Sequence, residues 1–167
     1  RTASATSYCR VYFCFADLPS AASATILAYK QLSGASIRLT SGGKLQLWND
    51  SAATQIGSDS AATIVADGAT WYKVELGITL NATPQITACE GRINGTTIAS
   101  TSGLTIADGT TFFFGWLTAP GANKTCYVDD VAINDSTGAV QNSWPPDSYI
   151  RVLVPTADSA NGAGWVN

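Results

Sequence analysis

Residues 63–76 read TIVADGATWYKVEL, and residues 104–117 read LTIADGTTFFFGWL. Both copies run two apolar residues, Ile64 and Val65 in the first and Leu104 and Ile106 in the second, into Ala-Asp-Gly, then a small lead-in, then an aromatic-rich stretch. Asp-Gly supplies the positive φ of a tight connection, the small residue clears the corner, and aromatic and β-branched side chains fit a pleated, half-buried surface. Two equivalent corners leading into two equivalent core strands are therefore expected. A duplicated catalytic loop is the other reading, and it is set aside because neither copy carries a base or nucleophile beyond its Asp. In the first copy Tyr72, Val74, Leu76 and Ile78 alternate with Trp71, Lys73 and Glu75. Period two of this kind predicts a half-buried antiparallel strand.

The same grammar extends in both directions. In YCRVYFCF, 8–15, Cys9, Val11, Phe13 and Phe15 share one face and Tyr8, Arg10, Tyr12 and Cys14 the other. Further strands are predicted over 26–32, 36–40, 44–48, 85–93, 97–99, 112–117, 126–133 and 149–154, separated by turn signals such as Gly42-Gly43, Asn94-Gly95 and Pro120-Gly121. No stretch holds a 3.6-residue period with caps. Short strands with turns every eight to twelve residues predict an all-β, two-sheet antiparallel sandwich with almost no helix. Residues 1–141 read as that sandwich and 142–167 as an extended C-terminal arm with one strand, 149–154.

Composition narrows the function. The chain is 46% hydrophobic and only 13% charged, with net charge −3, and its nine Lys plus Arg are scattered singly. No basic stripe suited to phosphates exists, so no nucleic-acid partner is expected. No apolar run approaches a membrane span, so no membrane insertion is expected. There is no histidine. Ser-His-Asp chemistry and a Cys-His pair are thereby excluded. Glycosidase chemistry needs two carboxylates flanking one bond. Here Glu75 and Glu90 stand alone in their strands. No enzyme activity is expected. Cys9, Cys14, Cys89 and Cys126 read first as buried thiols and second as disulfides. Asn-x-Ser/Thr triplets start at Asn49, Asn81, Asn94, Asn123 and Asn134 and matter only in a eukaryotic secretory host.

Four further features bear on partners. Adjacent Asp129 and Asp130 point to opposite faces of a strand, so one is expected at the rim or buried, tied by Arg10, Arg38 or Arg92. The competing reading is a calcium site recruiting Asn134 and Asp135; no cofactor is expected on the first. Trp48 and Trp71 lie opposite the apolar face of their strands and invite sugar stacking, against core or subunit-contact duty. In the arm, Pro145-Pro146 enforces an extended path, Ile150, Val152 and Val154 alternate, and Trp144 and Tyr149 add aromatic surface. The strand 149–154 is expected to add to an edge of its own sandwich or to pack on a neighbouring subunit.

WYKVEL at 71–76, RING at 92–95, TCYVDDVAINDS at 125–136, NSWP at 142–145 and RVLVPTAD at 151–158 occur in an order that resembles the concanavalin A-like (laminin-G-like) jelly roll. More narrowly, it is similar to the version found in virion structural proteins of tailed bacteriophages. The resemblance implies a non-enzymatic structural component of a phage tail or head, on the virion surface, packing against copies of itself or neighbouring virion proteins. Alternatives are a lectin-like module for host-surface glycans, on a virion or extracellular, and a subunit of an extracellular filament. Such domains usually open with a strand beside the closing Asp-Asp-Val strand, and only seven residues precede the first strong strand here. A missing piece, supplied from upstream or by another chain, is expected.

Overall fold

The computed structural model describes residues 5–147 except 84, 108, 110, 138, 140 and 141. Its strands are β1 (Thr6–Phe15), β2 (Ser23–Tyr29), β3 (Ala35–Thr40), β4 (Leu45–Asn49), β5 (Thr54–Ile56), β6 (Trp71–Leu80), β7 (Gln85–Ile93), β8 (Thr96–Ala107), β9 (Phe112–Phe114) and β10 (Cys126–Asp135). They form two five-stranded antiparallel sheets, ordered β10-β1-β6-β7-β8 and β5-β4-β3-β2-β9. The chain is an all-β jelly-roll sandwich whose helical content, among the described residues, is one 3-10 turn at Gln31–Ser33. The predicted strand 149–154 lies outside the described residues.

Alternation builds the core. Cys9, Val11, Phe13 and Phe15 of β1 and Val74, Leu76 and Ile78 of β6 are fully buried between the sheets, against Ile26, Ile37, Leu39, Leu45 and Leu47 of the second sheet. The cysteines are free thiols: Cys9, Cys14 and Cys89 are buried and Cys126 is half-buried. Burial pushes the Cys9 thiol up to about 12, against the pull of the neighbouring Arg10 charge, and pushes Cys89 up to about 12 as well. The Asn94-Gly95 signal is a two-residue hairpin, with φ of 51° and 79°, between paired Ile93 and Thr96.

Four expectations need correction. The two Ala-Asp-Gly copies are not equivalent corners. The first delivers the chain to β6, in the middle of one sheet, whereas the second joins edge strand β8 to the three-residue edge strand β9 of the other. The strand expected over 26–32 stops at Tyr29, because Lys30 and Gln31 take left-handed φ of 61° and 46°. The stretch 97–99 is the start of a strand reaching Ala107, whose exposed Ser/Thr-rich face and register shifts hide its period. β6 is buried on both faces at its centre, Glu75 being only 2% exposed, because residues 143–147 lie across the outer face of its sheet.

The first corner is held by its Asp. Asp67 accepts from the Ala69 and Thr70 amides at 2.9 and 2.8 Å and from the Thr70 hydroxyl at 2.6 Å, while Gly68, at φ 68°, donates its amide to the Phe15 carbonyl at 2.9 Å. The Thr70 hydroxyl and the two amides hold the Asp67 carboxyl down at about 2. A depressed carboxyl contributes stability that is whole above its unfolded value and is lost as pH falls through the folded one. Asp67→Ala should therefore lower the urea midpoint at pH 6, and the gap from the unsubstituted chain should close as pH falls from about 4 to 2. A gap independent of pH would show that the carboxylate charge plays no part.

Candidate functional site

Cross-strand register lays out the outer face of the first sheet in rows, since directly paired residues share a face. Tyr8 pairs with Gly77 and Gly77 with Glu90; Arg10 pairs with Glu75 and Glu75 with Arg92; Tyr12 pairs with Lys73; Cys14 pairs with Trp71. On β10 the partners of Tyr8 and Tyr12 are Asn134 and Asp129. Aromatic and charged side chains therefore alternate across a surface whose other side is core.

A strap, residues 143–147, crosses this surface. Asn134 Nδ2 donates to the Ser143 carbonyl at 3.1 Å. The Trp144 ring sits 4.9 Å from the Tyr8 ring, with the Arg92 guanidinium 4.1 Å from its centroid. Gly77 lets the indole reach the sheet, because a Cβ there would stand 2.8 Å from Trp144. Asp147 accepts from Lys73 Nζ at 2.6 Å and from the Tyr12 hydroxyl at 3.2 Å. That lysine contact holds the Asp147 carboxyl low, while burial and the Asp147 carboxylate push the Tyr12 phenol up. Beneath the strap, burial pushes the Glu75 carboxyl up, opposed by Lys73 and Arg92.

Beside the strap lies a cleft of about 320 Å³ lined by Trp71, Tyr12, Asp129 and Asp130. Trp71 is 43% exposed, so an indole face is open to a ligand. Asp130 has φ 45° at a bulge, where the register between β1 and β10 shifts between Arg10 and Tyr12. The bulge brings both residues of the pair to the lining of this cleft, overriding the strict alternation expected of adjacent residues. Arg10, 2% exposed, holds Asp130 at 2.8 Å. Arg38 and Arg92, the other candidates, are paired with Asp50 at 2.7 Å and with Glu90 at 2.7 Å.

The remaining expected site residues disperse. Trp48 is on the second sheet, half-buried, with the Arg38 guanidinium 3.8 Å from its ring centroid and its indole N–H donating to Gln46 at 3.0 Å. It lies on the opposite side of the sandwich from Trp71, with one ring face already covered. Asp135 accepts from the Thr137 amide at 2.9 Å, as a turn cap. Among the described residues no three His, Cys, Asp or Glu side chains converge as a metal cage. Trp144 belongs to the strap, and Tyr149, Ile150, Val152 and Val154 lie outside the described residues. Tyr12 was missed as a site residue, although its place among Tyr8, Arg10 and Cys14 on the outward face of β1 was the signal available.

The chain matches no family model and no curated protein. Among solved structures, a tryptophan-to-alanine mutant of HCR/D aligns with 77% of this chain and 33% of its own, at 18% identity and a TM-score of 0.51. The likeness is one of fold. Botulinum neurotoxin type C, described as dependent for cell entry upon interaction with two ganglioside molecules, aligns at 16% identity and a TM-score of 0.47. The botulinum neurotoxin serotype D binding domain aligns at 17% and 0.45. The chain spans about a third of the length of each: 33%, 32% and 33%. None of these three structures concerns a phage.

Proposed function

We propose that this sandwich is a non-enzymatic carbohydrate-binding module that takes its sugar at the Trp71 cleft. The observation that carries the reading is the half-open Trp71 indole beside Tyr12, Asp129 and Asp130 in one cleft. An aromatic face suits the apolar C–H face of a pyranose, and carboxylates accept from its hydroxyls. Two carboxylates at the site favour neutral over acidic sugars. Hydrolysis does not fit, because Asp130 is tied up by Arg10 at 2.8 Å and so leaves Asp129 without a second working carboxylate in the cleft, while Glu75 is beneath the strap and Glu90 is engaged by Arg92 and Thr97 at 2.7 and 2.8 Å.

A glycan array spanning neutral and sialylated oligosaccharides tests this. Trp71→Ala should weaken binding roughly ten- to a hundredfold, the scale of about 1–3 kcal/mol that an aromatic platform contributes to a stacked ring. Trp48→Ala, on the far side, should leave binding unchanged. Equal losses at the two sites, or no glycan bound at all, would overturn the reading. The second reading, a virion or filament subunit packing on copies of itself, draws on the exposed apolar side chains of β10. It requires self-association that grows with concentration in sedimentation experiments.

A further inference from the structure

Strand β10 carries an apolar stripe that its own sandwich does not cover. Ile133 pairs opposite Cys9 and Val128 opposite Phe13, so both point to the core side of the first sheet. Cys9 and Phe13 are fully buried, yet Ile133 is 60%, Val131 40% and Val128 36% exposed. The second sheet stops short of them: it packs over β6, β7 and β8 and ends in the three-residue β9. Among the described residues β10 pairs only with β1, at the edge of its sheet.

We infer that residues 149–154 of the same chain dock on β10, adding to its outer edge and laying Ile150, Val152 and Val154 over Val128, Val131 and Ile133. The tether favours this occupant over a second copy. Asp147 is held on Tyr12 and Lys73, and Tyr12 is paired with Asp129 of β10. β10 lies about 4.8 Å from β1. Each extended residue covers up to about 3.5 Å, so the chain beyond Asp147 rounds the edge within a few residues. Tethering at that range presents the segment at an effective concentration on the order of millimolar. Its alternation matches the stripe: Ile150, Val152 and Val154 share one face, separated by Arg151 and Leu153, and Pro155 ends the run.

Hydrogen exchange read by mass spectrometry on the whole 167-residue chain tests the docking. The amides of 149–154 should be protected at least tenfold over an unstructured peptide, equally at low and high protein concentration. Val131→Asp with Ile133→Asp should abolish that protection and leave β6 and β7 protected, which shows the sandwich still folded. Val152→Asp, outside the sandwich, should do the same from the other side. Free exchange of 149–154 in the unsubstituted chain overturns the proposal, as does protection that survives these substitutions. Protection that appears only with dimerisation assigns the stripe to a second copy and overturns it too.

Discussion

Leu76→Ala should destabilise the sandwich by about 2–5 kcal/mol, as expected for a large-to-small change that leaves a cavity. Leu76 is fully buried at the middle of β6, paired with Cys9 on one side and Gly91 on the other. Glycine at the second position leaves the site little side chain with which to close a void. Lys73, three residues away on the outer face, is the control. Its ion pair with the 63%-exposed Asp147 side chain is a surface interaction, so Lys73→Ala should cost at most about 1 kcal/mol. Urea midpoints with unchanged slopes would give both values. Comparable losses at the two positions would mean that the facing of β6 is misread.

The other large effect is expected at Arg10→Ala, on the order of 3–5 kcal/mol, the cost of removing one partner from buried charges. Arg10 is 2% exposed, holds Asp130, and stands opposite Glu75, itself 2% exposed. Glu75 Oε2 has no hydrogen-bond partner among the described residues. Since the Glu75 carboxyl is raised, folding is favoured below its ordinary value of 4.5, and that advantage is lost as pH rises through the folded value. Losing a nearby cation makes the buried anion costlier. The deficit of Arg10→Ala should therefore be larger at pH 7 than at pH 4, and Glu75→Gln should recover part of it. Asp130→Asn should cost less, its side chain being 36% exposed, and a chelator should leave the melting temperature unchanged. A pH-independent deficit would remove Glu75 from the explanation.

The fold was legible where side chains alternate strictly, as in β1 and β6, because burial of one face imposes period two. It was illegible where burial does not decide. Thr54–Ile56 is a three-residue edge strand with no fully buried residue, and β8 carries Ser or Thr at six of its twelve positions. The paired carboxylates show the same limit at the site. Parity separates Asp129 from Asp130, and only the bulge brings them to one cleft. Trp71 could be named from parity alone, but Tyr12 became its companion through the pairing of β1 with β6, a contact between residues far apart in the chain.

Four unpaired thiols distributed over β1, β7 and β10 also make the molecule its own unfolding clock. Cys9 and Cys89, buried and with their thiols pushed to about 12, do not meet a labelling reagent until the sheet parts, whereas Cys126 is half-exposed at the edge. A thiol-reactive dye should thus mark Cys126 in one kinetic phase and the three buried thiols, Cys9, Cys14 and Cys89, in a slower one whose rate reports opening of the sandwich. Refolding needs no oxidant and no disulfide shuffling, so the same fold should be recovered with or without reductant.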